Sequence, residues 1–184
     1  MQQPYGLSLD EFPPLELYMD QVIVFVNQQL NLLTRSENEI TLTASMVNNY
    51  VKAKVVDRPE RKKYRPEQLA DLIMVSVLKN VLTLNEIKDL FSWREHVGMP
   101  LNRCYDIFRA ELCCEDKNLP QLYEFSEMDN ATAEVSDETA FTNVLRRVLR
   151  SFCQKKQAMR DLATFAARPK GDGTVKTNGR HHNK

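Results

Sequence analysis

The feature that most restricts this chain is how little glycine it holds. Five glycines occur in 184 residues, and three of them lie beyond residue 170. Strand-like alternation is equally scarce, so the turn-rich architectures built from many short strands are poor fits. The expected fold class is mostly α. Apolar spacing and helix-start signals then divide the chain. Pro13 and Pro14 precede LELYMDQVIVFVNQQLNLL, where Leu15, Tyr18, Val22, Phe25, Val26 and Leu33 fit one helical face. The run VIVFV also suits a buried strand, but its flanks are Gln, Asn, Asp and Glu rather than turn residues, which favours helix. TRSENEI (34–40) reads as a loop.

Thr43 offers an N-cap to ASMVNNYVK. Met46, Val47, Tyr50 and Val51 form one face of that helix, and Ser45, Asn48, Asn49 and Lys52 form the other. Val55 and Val56 look anchored. Pro66 is placed to start another helix, with Glu67 in its first turn and Arg65 pushed to extended geometry. Its expected buried stripe is Leu69, Leu72, Ile73, Ser76 and Val77, extending to Val81. Thr83 to Glu86 is a capping box, followed by Leu84, Ile87, Leu90 and Phe91 at helical spacing. The segment from His96 to Pro100 ends that helix. A further helix is expected from Leu101 to Glu115, with Tyr105, Ile107, Phe108 and Leu112 as its apolar content. Residues 118–137 are acidic and read as a linker or irregular segment.

From Glu138 to Ala167, Phe141, Leu145, Val148, Phe152, Lys155, Met159, Leu162 and Ala166 alternate at spacings of four and three. Such a stripe either lies on its own domain's core or joins two chains as a homodimer through 138–167. Residues 168–184 form a basic tail expected to be disordered.

Composition excludes several classes. No apolar run is long enough to span a membrane, and the N-terminus lacks the charged and apolar regions of a signal peptide, so a cytoplasmic protein is expected. Cys104, Cys113, Cys114 and Cys153 form no C-x-x-C pair and read as small apolar residues on helix faces. His96 is the internal histidine; His181 and His182 are adjacent in the tail. No phosphate-loop, nucleophile-elbow, zinc-protease or dinucleotide motif occurs. Neither catalysis nor a cofactor or metal is expected.

Formal net charge is zero, but the charges are segregated. Seven Lys or Arg and two acids fall between Lys52 and Arg65. The order is a short helix with a polar face, a basic segment, and at once another helix. Lysine and arginine supply phosphate contacts. Asparagine amides pair with adenine edges and a serine hydroxyl reaches any base in the major groove. The bland alternative is a solvated helix face beside a solvated loop.

Over about fifty residues this order resembles the DNA-binding half of the MerR-like regulators. The residues that carry the likeness are Asn49-Tyr50, Val55-Val56-Asp57-Arg58-Pro59, Lys62-Lys63-Tyr64, Pro66-Glu67-Gln68-Leu69 and Thr83-Leu84-Asn85-Glu86-Ile87. The resemblance implies a winged helix-turn-helix with a short basic wing, additional helices and a long C-terminal helix, over a DNA-binding domain of 10–117. It implies a recognition helix over 43–53 and a wing over 55–65. Asn48 falls where that family places an Arg, Asn49 where it often has an aromatic, and Lys52 replaces a frequent Arg. Lys54 stands where a Gly closes the helix. Lys62 stands for the Arg, and Tyr64 is the Tyr, of the wing motif that grips phosphate; Arg58 and Arg61 lie in the wing.

The expected DNA-binding set is therefore Ser45, Asn48, Asn49, Lys52, Lys54, Arg58, Arg61, Lys62, Lys63, Tyr64 and Arg65. The wing is shorter than the family's and lacks its usual Gly. The motifs L-Y-M-D-Q, M-x-N-N-Y-V-K and K-K-Y also resemble a bacterial family known only as domain of unknown function 1836. The function implied is a DNA-binding transcriptional regulator acting on double-stranded DNA. An inducer is expected from the resemblance, but no residue identifies one. The alternative is a protein-interaction module on the same scaffold.

Overall fold

The computed structural model describes residues 6–35, 40–113 and 136–166. Expectations that fall on residues 36–39, on Cys114, on 118–135 and on 167–184 lie outside them. The described residues are mostly helical. A 3-10 turn at Leu9–Glu11 leads to a two-residue strand, β1 (Leu17–Tyr18), and then to α1 (Met19–Thr34), α2 (Ala44–Lys52), a second short strand β2 (Lys63–Tyr64), α3 (Pro66–Leu78), α4 (Leu84–His96), α5 (Leu101–Cys113) and α6 (Asp137–Ala166).

α3 is the centre. From Gln68 to Leu78 every side chain except Asp71 is buried. A helix apolar on nearly all sides must be surrounded, and α1, α5 and α6 pack around it. The expected single stripe was too narrow: Ala70, Met74, Val75 and Leu78 are buried as well, while Val81 beyond the helix is 38% exposed. The N-terminal segment is laid over this core. Phe12 meets Phe25 edge-on at 5.0 Å and Tyr105 at 5.5 Å. The Gly6 carbonyl accepts a 2.7 Å hydrogen bond from the buried Arg109 guanidinium.

VIVFV is helical, as expected. The first helix nevertheless starts at Met19, four residues later than its pattern suggested. Leu17 and Tyr18 are instead paired antiparallel with Tyr64 and Lys63. Leu15 and Tyr18, expected on the buried face, are exposed.

α6 joins the same core. Phe141, Leu145, Leu149 and Phe152 are buried in it, and the Phe141 ring meets Trp93 at 5.8 Å. The expected heptad stripe drifts: Leu149 and Lys156 are buried in place of Val148 and Lys155. A straight α-helix advances with a period of 3.6, so a 3.5-residue pattern rotates off the packed face. Lys156 donates to the Thr34 carbonyl at the end of α1, and Lys155 Nζ donates to the Asn80 carbonyl just past α3 at 3.2 Å. Two successive ammonium groups thus sit where helix carbonyls run out of partners.

Candidate nucleic-acid interface

The candidate surface is built from α2 and the segment that joins it to α3. Thr43 caps α2, its hydroxyl accepting from the Met46 amide at 3.3 Å. The approach to that cap is fixed from α1: the Asn27 carboxamide donates to the Leu42 carbonyl at 3.1 Å and accepts from the Leu42 amide at 2.8 Å. Val47 and Tyr50 anchor α2 to the core. That leaves Ser45, Asn48, Asn49 and Lys52 exposed on its outer face.

After α2 and its C-cap Ala53 comes Lys54, whose φ is +57°. The Val55 amide then bonds back to the Tyr50 carbonyl at 3.1 Å, and Val55 and Val56 are buried. A left-handed residue after a helix is usually Gly; here it is Lys. The chain next folds into a tight hairpin. Lys63 N donates to Glu60 O at 2.8 Å, with Arg61 at φ +48° and Lys62 at φ +65° between them. Two successive positive φ values define a type I′ turn, which strongly prefers Asn-Gly. Among the described residues the four non-glycines with positive φ are Arg35, Lys54, Arg61 and Lys62, and all are basic. Each such position costs an L-residue roughly 1 kcal/mol or more.

The base of this segment is tied by one side chain. Gln68, buried in the first turn of α3, donates to the carbonyls of Asp57 (3.0 Å) and Arg58 (3.2 Å) and accepts from the Arg65 amide at 2.8 Å. A glutamine three residues after an extended Arg65 is legible as a capping residue. Its reach to residues 57 and 58 is not, because that depends on the fold.

Lys52, Lys54, Arg58, Arg61, Lys62 and Arg65 are exposed. Among the described residues none of the six lies within salt-bridge distance of an acid, whereas Arg94, Arg103, Arg109, Arg146 and Arg150 all do. Two members of the expected set are placed differently. Lys63 is half-buried with its ammonium 5.3 Å from the Tyr18 ring centroid. Tyr64 is 2% exposed, and burial raises the pKa of its phenol. Its ring is a core anchor, so it does not share the outward presentation of its basic neighbours.

Among the described residues no three His, Cys, Asp or Glu side chains converge to hold a metal. Cys104 is buried, and that burial pushes its thiol up to about 11, far from a reactive thiolate at neutral pH. No helix among the described residues is long and apolar enough to cross a membrane.

A family model described as "Domain of unknown function (DUF1836)" matches residues 7–108. No curated protein and no solved structure matches the chain.

Proposed function

The chain belongs to the DUF1836 family, and we propose that it binds double-stranded DNA as a transcriptional regulator, with α2 in the major groove and residues 55–65 as a basic wing on the phosphates. The observation that carries this reading is the placement of Lys54, Arg61 and Lys62 at left-handed positions where Gly or Asn would be more stable. Strain of this kind persists where the side chain does something the cheaper residue cannot. A cation at the tip of a hairpin gains nothing for the fold. It gains a charge-assisted contact only when an anion arrives.

The exposed face of α2 supports the same reading. Asn48 and Asn49 are poor helix formers in a helix interior, and both present amides outward. Amides of this type pair with the N6 and N7 edge of adenine. Six exposed cations around them, without acid partners among the described residues, leave a field that favours a polyanion.

The test is selection of bound duplexes from random DNA at about 150 mM salt, where backbone attraction is screened. An enriched motif is expected, and Asn48→Ala relaxes base preference at one position of it. Weak, salt-sensitive retention without enrichment would sink the proposal and turn the search to a protein partner.

A further inference from the structure

The outer face of α1 has a property that the DNA-binding reading leaves unused. Between Asp20 and Arg35 there is no ionisable side chain, in a chain where 27% of residues are charged. The face turned to solvent over that stretch is Gln21, Val24, Gln28 and Leu32. Val24 is 59% and Leu32 51% exposed. A solvent-facing helix surface ordinarily carries charge, and depletion of charge marks the centre of a protein interface.

The same face carries a shallow depression, largely open to solvent and lined by Asp20, Gln21, Val24, Phe25 and Gln28. Residues 21, 24, 25 and 28 stand at i, i+3, i+4 and i+7, the four positions that make the hole for one knob in helix-on-helix packing. The knob of matching character lies two turns along the same face, at Leu32. The hole is centred between Val24 and Phe25, so the point midway between hole and knob is Gln28. A surface holding a hole and its own knob on one face, symmetric about one residue, is complementary to itself under a two-fold axis.

We propose that this face of α1 docks a second copy of the chain, antiparallel about a two-fold axis through Gln28, with Leu32 of each copy seated in the other's depression. The helix dipole favours that direction, because antiparallel pairing opposes the two dipoles and parallel pairing would align them. Gln28 meets Gln28 on the axis, where two amides can bond to each other. The first half of the α6 stripe is unavailable for this role, because Phe141, Leu145, Leu149 and Phe152 are already buried within their own chain, whereas Met159 and Leu162 further along it are exposed, so the experiment must separate the two surfaces.

The experiment is sedimentation velocity on the full chain between about 1 and 200 µM, the range in which an interface of modest area associates. A reversible monomer–dimer equilibrium is expected. Val24→Lys alone and Leu32→Glu alone should each move the equilibrium to monomer by tenfold or more, with circular dichroism and melting temperature unchanged because both positions are exposed. The double variant V24K/L32E should dimerise again, since antiparallel pairing sets the introduced ammonium of each copy against the introduced carboxylate of the other. A monomer at every concentration would overturn the proposal. So would a dimer indifferent to both single substitutions, which would place association on another surface such as α6. Loss in the single variants without recovery in the double would overturn the antiparallel register.

Discussion

Two side chains at the tip of the basic segment separate function from stability. Replacing Arg61-Lys62 by Asn-Gly supplies the residues a type I′ turn prefers, and relieves two left-handed L-residues. The variant is expected to be more stable by about 1 kcal/mol or more, raising the melting temperature by a few degrees. Its affinity for DNA should fall uniformly across sequences, and the slope of log affinity against log salt should shrink by about two units. A more stable variant with unaltered DNA affinity would show the cations to be incidental. Asp71 offers a second residue-scale test. It interrupts the buried run of α3, 3.5 Å from Arg94 Nη1, with Glu95, Asp57 and Cys104 also nearby. Partial burial pushes its carboxyl up to about 6, against the pull of Arg94. A carboxyl raised in the folded state contributes stability that is full below its unfolded pKa near 4 and is lost as pH rises through about 6. Denaturation across that window should show Asp71→Asn gaining on the parent chain by on the order of 2 kcal/mol from about pH 4 to about pH 7. A constant gap would mean the carboxyl titrates normally.

At the scale of elements, the tie between the basic segment and α3 is the part most open to attack. Gln68→Leu keeps the volume of the side chain but removes three hydrogen bonds, to Asp57, Arg58 and Arg65. It should cost about 1–3 kcal/mol and loosen residues 57–65 locally. Trypsin cleavage after Arg61 and Lys62 should then accelerate well before global unfolding. Unchanged cleavage would show the segment to be held by β1 and its own turn. The elements themselves were largely legible in the sequence, because each begins with a chemical signal: Thr43 caps α2, Pro66 opens α3, and Thr83 with Glu86 opens α4. The misses share a cause. β1 is two residues long and exists only because Lys63 and Tyr64 lie beside it. The drift of the α6 stripe follows from helix pitch, not from residue type. No residue announces a left-handed backbone at Arg61 or Lys62, since the usual announcement is a glycine. The candidate surface was thus readable as a set of charges on a helix and a loop. The conformation that makes those charges informative, and the burial of Tyr64 among them, were not.

For the whole molecule, the family match and the folding unit have different limits. The match ends at residue 108, yet Tyr105 and Phe108 share a core with Phe141, Leu145 and Phe152 of α6. A fragment of residues 7–108 uncovers that surface and is expected to aggregate or to lose several kcal/mol, as unfilled cores do. Equal melting of the 7–108 fragment and the full chain would refute the shared core. The encirclement of α3 has a further consequence in time. An amide in a helix walled in on all sides exchanges its proton only when its neighbours come away together, so α3 should be the slowest clock in the molecule. Its amides should exchange at the rate of global opening, while those near Ala166 exchange through local fraying. Native-state hydrogen exchange would then find the longest memory of the folded state in a helix that belongs neither to the candidate DNA surface nor to the proposed dimer face.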